Sequence, residues 1–168
     1  MRNLALRAVC RLAATAAAAL VFYGYSWMPS HANHVLKTVQ TRTQTALETT
    51  GDRAIFAARD NIALLQTVAE PRQLAIDYHL LYAVNDRILG RHDDAVAHYN
   101  AALEADRRPE IYYERGLTLL EQGKLDAATA DIALAARFNP MYFDDVDKGM
   151  QDRITAVNKS VPYNPPPP

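Results

Sequence analysis

Cysteine is almost missing from this chain. Cys10 is the only one in 168 residues, which excludes an internal disulfide framework and any CxxC zinc or haem-attachment motif. Excess charge is missing as well. The formal net charge is −1, too little to steer a polyanion, so no nucleic-acid partner is expected. With 49% apolar residues the chain is not compositionally disordered, and its length suits one domain of modest core. Acidic residues are absent from the start until Glu48, while Arg2, Arg7 and Arg11 crowd the first positions. Strand patterning is lacking too, since no segment alternates apolar and polar residues with period two.

Behind the arginines lies an uncharged run, Leu12 to Met28, "LAATAAAALVFYGYSWM". As a helix it reaches about 25 Å, barely the thickness of a hydrocarbon core. The arginines are expected to hold the N-terminus in the cytoplasm. Tyr23, Tyr25 and Trp27 fall at the far end, where amphipathic rings suit a membrane interface. Residues 1–32 therefore read as a signal anchor or a signal peptide. As an anchor, residues 12–28 hold a single-pass protein in the inner (cytoplasmic) membrane, its C-terminal domain facing the periplasm or exterior. As a signal peptide, the segment is cleaved near Ala32, where Ser30-His31-Ala32 offers a small-x-small site and releases the protein to the periplasm. A mitochondrial presequence fits less well, because the run is continuous rather than amphipathic.

Beyond this segment, glycines and prolines punctuate helical patterns. Leu36, Val39, Thr43 and Ala46-Leu47 share one face, ended by Gly51. Ile55, Ala58, Ile62, Leu65 and Val68 share another, ended by Pro71. Further helices are predicted over 72–90, 93–106, 109–122 and 125–138. A last one starts near Tyr142, with Phe143, Val146, Met150, Ile154 and Val157 as its apolar stripe. The fold class is all-α.

Four residue pairs recur at one interval. Gly90 and Gly123 stand 33 residues apart, as do Ala95 and Ala128, Tyr99 and Ile132, and Ala102 and Ala135. Small residues at set places let paired helices approach closely, and the larger residue fills the gap between them. In the second unit the order is Tyr112, Gly116, Leu119, Ala128, Ile132, Ala135 and Pro140. The first unit is looser: His79, Tyr82 and Ala83 precede Ala95 and Tyr99, with Asp86 at an aromatic position and Arg107 at the proline position. Through these residues the chain resembles the tetratricopeptide repeat (TPR) family. The resemblance implies a short superhelix of stacked helical hairpins. Residues 33–71 form a degenerate TPR-like hairpin, 72–140 two TPR units, 141–160 a capping helix and 161–168 a proline-rich extended tail.

Chemistry is sparse. His31 and His34 have HxxH spacing, but no third ligand is near in sequence, so no metal or cofactor is expected. His92 reads as a packing residue and His98 as exposed without a role. Asp93-Asp94 and Asp144-Asp145 each read as helix openers that favour the dipole. No catalytic constellation is present, and the protein is not expected to be an enzyme.

What the resemblance implies instead is a partner-binding concave face lined by the first helix of each unit. On that basis the candidates are Asp77, Leu80, Val84 and Arg87 in the first unit, and Glu110, Tyr113, Leu117 and Leu120 in the second. With Arg87 alone as a suitable cation, a clamp for a terminal carboxylate is not expected. An apolar or aromatic anchor, with Glu110 pairing a basic residue, fits better. Tyr163, in "VPYNPPPP", is a further candidate contact from the extended tail. The function expected is a protein-protein interaction module at the membrane, one that recruits, assembles or stabilises a membrane or periplasmic complex. The alternative is an accessory subunit held in a larger complex by its transmembrane helix, where Ala16 to Ala19 permit close helix contact.

Overall fold

A computed structural model describes residues 28–68 and 75–160. The described residues form helices and no strands: α1 (Met28–Leu47), α2 (Asp52–Leu65), α3 (Ala75–Ile88), α4 (His92–Ala105), α5 (Pro109–Glu121), α6 (Leu125–Phe138), the single turn α7 (Met141–Asp144) and α8 (Lys148–Ser160). Each helix packs on the next, and α1 also reaches α3, as α6 reaches α8. The candidate anchor lies outside the described residues apart from Met28, the first residue of α1. Tyr163 and the rest of the proline-rich tail lie outside them too. Among the described residues no helix is long and apolar enough to cross a membrane. Helix α1 runs through the expected boundary after residue 32, with Ala32 itself buried in its packed face.

Three glycines reverse the chain, each in the left-handed region that other residues avoid: Gly51 at φ 71°, Gly90 at φ 72° and Gly123 at φ 73°. The last two turns are superposable in their bonding. The Gly90 and Arg91 amides donate to the Arg87 and Asp86 carbonyls, and the Gly123 and Lys124 amides to the Leu120 and Leu119 carbonyls. Both second helices then end alike, the Asp106 amide donating to Ala102 and the Asn139 amide to Ala135. The interval of 33 residues seen in the sequence is thus an interval in backbone conformation as well. The Gly51 turn lacks this pair of bonds, which sets the first hairpin apart.

Packing explains the small residues. A Cβ built on Gly116 would lie 2.6 Å from Ile132 Cγ1 and 3.3 Å from the Ala128 carbonyl oxygen, so α5 and α6 meet where only hydrogen fits. Ala83 holds the matching place in α3 and is fully buried, in one cluster with Ala95, Tyr99 and Ala102. The apolar core is a chain of three clusters rather than one mass. The first joins α1 and α2 to Tyr78, Leu81 and Tyr82 of α3. The second joins α3 and α4 to Ile111 of α5. The third joins α5 and α6 to Met150 and Ile154 of α8. Each hairpin therefore buries its open side on the next, and α8 closes the series.

Polar groups pin the first seam. Asn61 Nδ2 donates to Thr43 Oγ1 (3.2 Å) and to Asn85 Oδ1 (3.0 Å). Asn85 Nδ2 donates to Thr43 Oγ1 (2.9 Å) and to the Leu81 carbonyl (2.7 Å). This buried trio ties α1, α2 and α3 in one register, because a slip would leave several donors unpaired.

The expected single last helix is broken. Residues after Asp144 leave the helix, and α8 restarts at Lys148. Asp147, not Asp144 or Asp145, opens it: its carboxylate accepts from the Met150 amide at 2.9 Å, the bond that satisfies an orphan donor of a first turn. Gln151 Nε2 donates back to the Phe143 and Val146 carbonyls, fixing the break. The apolar stripe survives it, with Met150 and Ile154 buried and Phe143, Val146 and Val157 packed beside them.

Candidate functional site

Leu80, Val84 and Arg87 follow one another at helical spacing on α3 and line one groove. Glu110, Ile111, Glu114 and Glu121 of α5 form its other wall. Tyr99 of α4 contributes from below, and Leu47, 57% exposed at the end of α1, stands at the rim. The cavity measures about 450 Å³, within the range of small ligand and side-chain pockets. It lies between the first helices of two successive hairpins.

Arg87 spans the groove. Its Nη1 donates to Glu114 Oε2 at 2.8 Å and its Nε to Glu121 Oε1 at 3.0 Å. Burial works against the cation, yet Glu121 and Glu114 overcome it and hold its pKa above the ordinary value. Burial moves the Glu114 carboxyl upward more than Arg87 brings it down, and Glu121 adds to the rise. The Tyr99 ring is fully buried. Thr118 and Arg87 stand near enough to favour its ionised form, but burial outweighs them and raises its pKa. Neither gives it an aligned bond: Tyr99 Oη has no hydrogen-bond partner among the described residues. His92, expected as a packing residue, is half-buried with Nδ1 3.2 Å from Glu121 Oε2, although not aligned as a hydrogen bond.

The candidates read from the sequence divide. Leu80, Val84, Arg87 and Glu110 come together in the groove. Asp77 sits exposed in the first turn of α3, outside the groove lining. Tyr113, Leu117 and Leu120 lie on the adjoining face of α5, outside the groove lining. Tyr113 is buried, stacked on Tyr142 with ring centroids 4.5 Å apart, and its hydroxyl donates to Asp145. Leu117 and Leu120 pack against the third cluster. The chain after Pro140 thus covers the face of α5 that the sequence reading left open. Tyr99, Ile111, Glu114 and Glu121 were missed. Their signal was present in part, since Glu110 and Glu114 are one turn apart and Glu121 two turns further on the same side.

A second polar group occupies the α3–α4 hairpin. His98 is not an idle surface residue: it stacks on Tyr82 at 4.6 Å, and its Nδ1 lies 3.0 Å from His79 Nδ1. Its Nε2 is 3.9 Å from Asp86, whose carboxyl is pushed up to about 6 by burial and by Asp94, against the pull of Arg91. In the α5–α6 hairpin the matching places hold Arg115 and Asp131, joined by Nε to Oδ2 and Nη2 to Oδ1, both at 2.7 Å. Among the described residues no group of three or more histidine, cysteine or acidic side chains is arranged to hold a metal. A second cavity, about 490 Å³ and bordered by Thr41, Arg42, Arg53 and Asp60, lies open between α1 and α2.

Compared with known proteins, the chain matches no protein-family model, no curated protein and no solved structure.

Proposed function

We propose that this protein is a non-catalytic interaction module in which TPR-like hairpins present a groove to a partner protein. On this reading residues 72–140 are two repeats, 33–71 a diverged one, and 141–160 a cap. Residues 12–28 tether the module to the cytoplasmic membrane with the helical domain on the outer side, where it recruits or assembles a membrane or periplasmic complex. The observation that carries the reading is the groove itself. It opens between the first helices of two equivalent hairpins, and its walls put apolar surface beside unevenly paired charge. Such a surface offers an anchor pocket with a polar rim, the usual layout of a peptide-binding site.

Photo-cross-linking in intact membranes tests it. A benzophenone side chain at Val84, in the groove, should give a discrete adduct at native abundance, whereas one at Ala130, exposed on α6, should not. Absence of any adduct at Val84, or equal labelling from both positions, would sink the reading.

A further inference from the structure

Resting on that groove reading, we propose that the occupant is a segment of a partner protein that seats an arginine or lysine side chain against Glu110 and Glu114, with apolar side chains next to it. The charge of the groove is unbalanced. Glu110, Glu114 and Glu121 line it, and Arg87 is the one cation among its lining residues. Arg87 is divided between Glu114 and Glu121. Outside help is limited: Arg108, 3.5 Å from Glu110, also lies 3.3 Å from Asp106, and His92 Nδ1, 3.2 Å from Glu121, makes no aligned hydrogen bond to it.

The Tyr99 hydroxyl is enclosed behind the groove wall, so the N–H donors of the occupant meet the carboxylates that line the groove instead. A guanidinium carries five such donors in a fixed fork. The remaining lining is apolar, from Leu80, Val84 and Ile111, and fits aliphatic neighbours of the cation. An acidic or phosphorylated segment meets like charge here and is excluded.

The test uses the full chain with the benzophenone at Val84 and a library of random short synthetic peptides, the captured ones being sequenced. Captured peptides should be enriched in arginine or lysine next to leucine, isoleucine or valine. Glu114→Gln should weaken a captured peptide about tenfold, the scale of one charge-assisted hydrogen bond. Capture at Val84 without basic enrichment, or with affinity indifferent to Glu114→Gln, overturns the cationic occupant and leaves the groove reading standing. No capture at Val84 removes both.

Discussion

Gly116→Ala tests the tight contact between α5 and α6. The added methyl would sit 2.6 Å from Ile132 Cγ1 and 3.3 Å from both the Ala128 carbonyl oxygen and Asp131 Cβ. Ile132 is fully buried, and the atom in the way lies close to its backbone rather than at a mobile tip. Two effects oppose each other. Alanine favours a helix over glycine by about 1 kcal/mol, whereas forcing a methyl into a filled core costs about 1–3 kcal/mol. The clash is well below contact distance on one side and met by backbone on another, so the second effect wins. The variant should lose about 1 kcal/mol in urea unfolding followed by far-UV circular dichroism. Ile132→Ala alone should cost about 2–5 kcal/mol by leaving a void. Combined, the new methyl partly fills that void, so the double variant should be at least about 1 kcal/mol more stable than the sum of the singles predicts. Strict additivity, or a Gly116→Ala protein more stable than wild type, would refute the packing argument.

Asp86 is buried where the equivalent residue of the next hairpin is Leu119. Its folded pKa, about 6 against an ordinary 3.8, means that the folded state holds the proton more tightly. The contribution to stability is therefore unfavourable at neutral pH and recovers as pH falls through 6 towards 3.8. About two pKa units correspond to about 3 kcal/mol, so Asp86→Leu should gain up to that amount at pH 7.5 and little at pH 4. A loss at pH 7.5 in urea unfolding would contradict this. Asn85→Ala strips donors and an acceptor from the buried trio with Thr43 and Asn61 and should cost about 2 kcal/mol in the same assay. Arg115→Ala leaves the buried Asp131 carboxylate without its fork. It should cost about 2 kcal/mol, most of it recovered by adding Asp131→Ala, as thermal melts would register. Gly123→Ala places a side chain at φ 73° and should lower stability by about 1–2 kcal/mol although its Cβ meets nothing.

Local signals made most of the helices legible. Gly90 and Gly123 marked reversals because a positive φ is needed there, and Pro109 marked the start of α5 because its fixed φ suits a first helical position. The stripe from Phe143 to Val157 correctly marked a buried face, but periodicity alone could not reveal that the helix restarts. That break depends on Asp147 capping one piece and Gln151 bonding back to the other. The Thr43–Asn61–Asn85 trio was unreadable for a different reason. Its members are spread over α1, α2 and α3, and an asparagine on a helix gives no local sign of a buried partner.

The groove was half legible, and the missing half follows from helix rotation. On α3, Leu80, Val84 and Arg87, named through the family resemblance, line the groove beside the face that Ala83 packs on α4. On α5 two faces compete at nearly the same spacing: Tyr113, Leu117 and Leu120 on one, Glu110, Glu114 and Glu121 on the other. Apolar residues look like the better binding surface in a sequence. In the folded chain they are the better packing surface, so Tyr142 and the cap take them, and the carboxylates are left facing Arg87. The apolar face of α5 is covered by the chain that follows it, since the alternative is to leave that face in water. The groove that remains is therefore more acidic than the repeat pattern implies. That displacement, more than any single residue, is why the occupant we propose carries a cation and not an aromatic anchor.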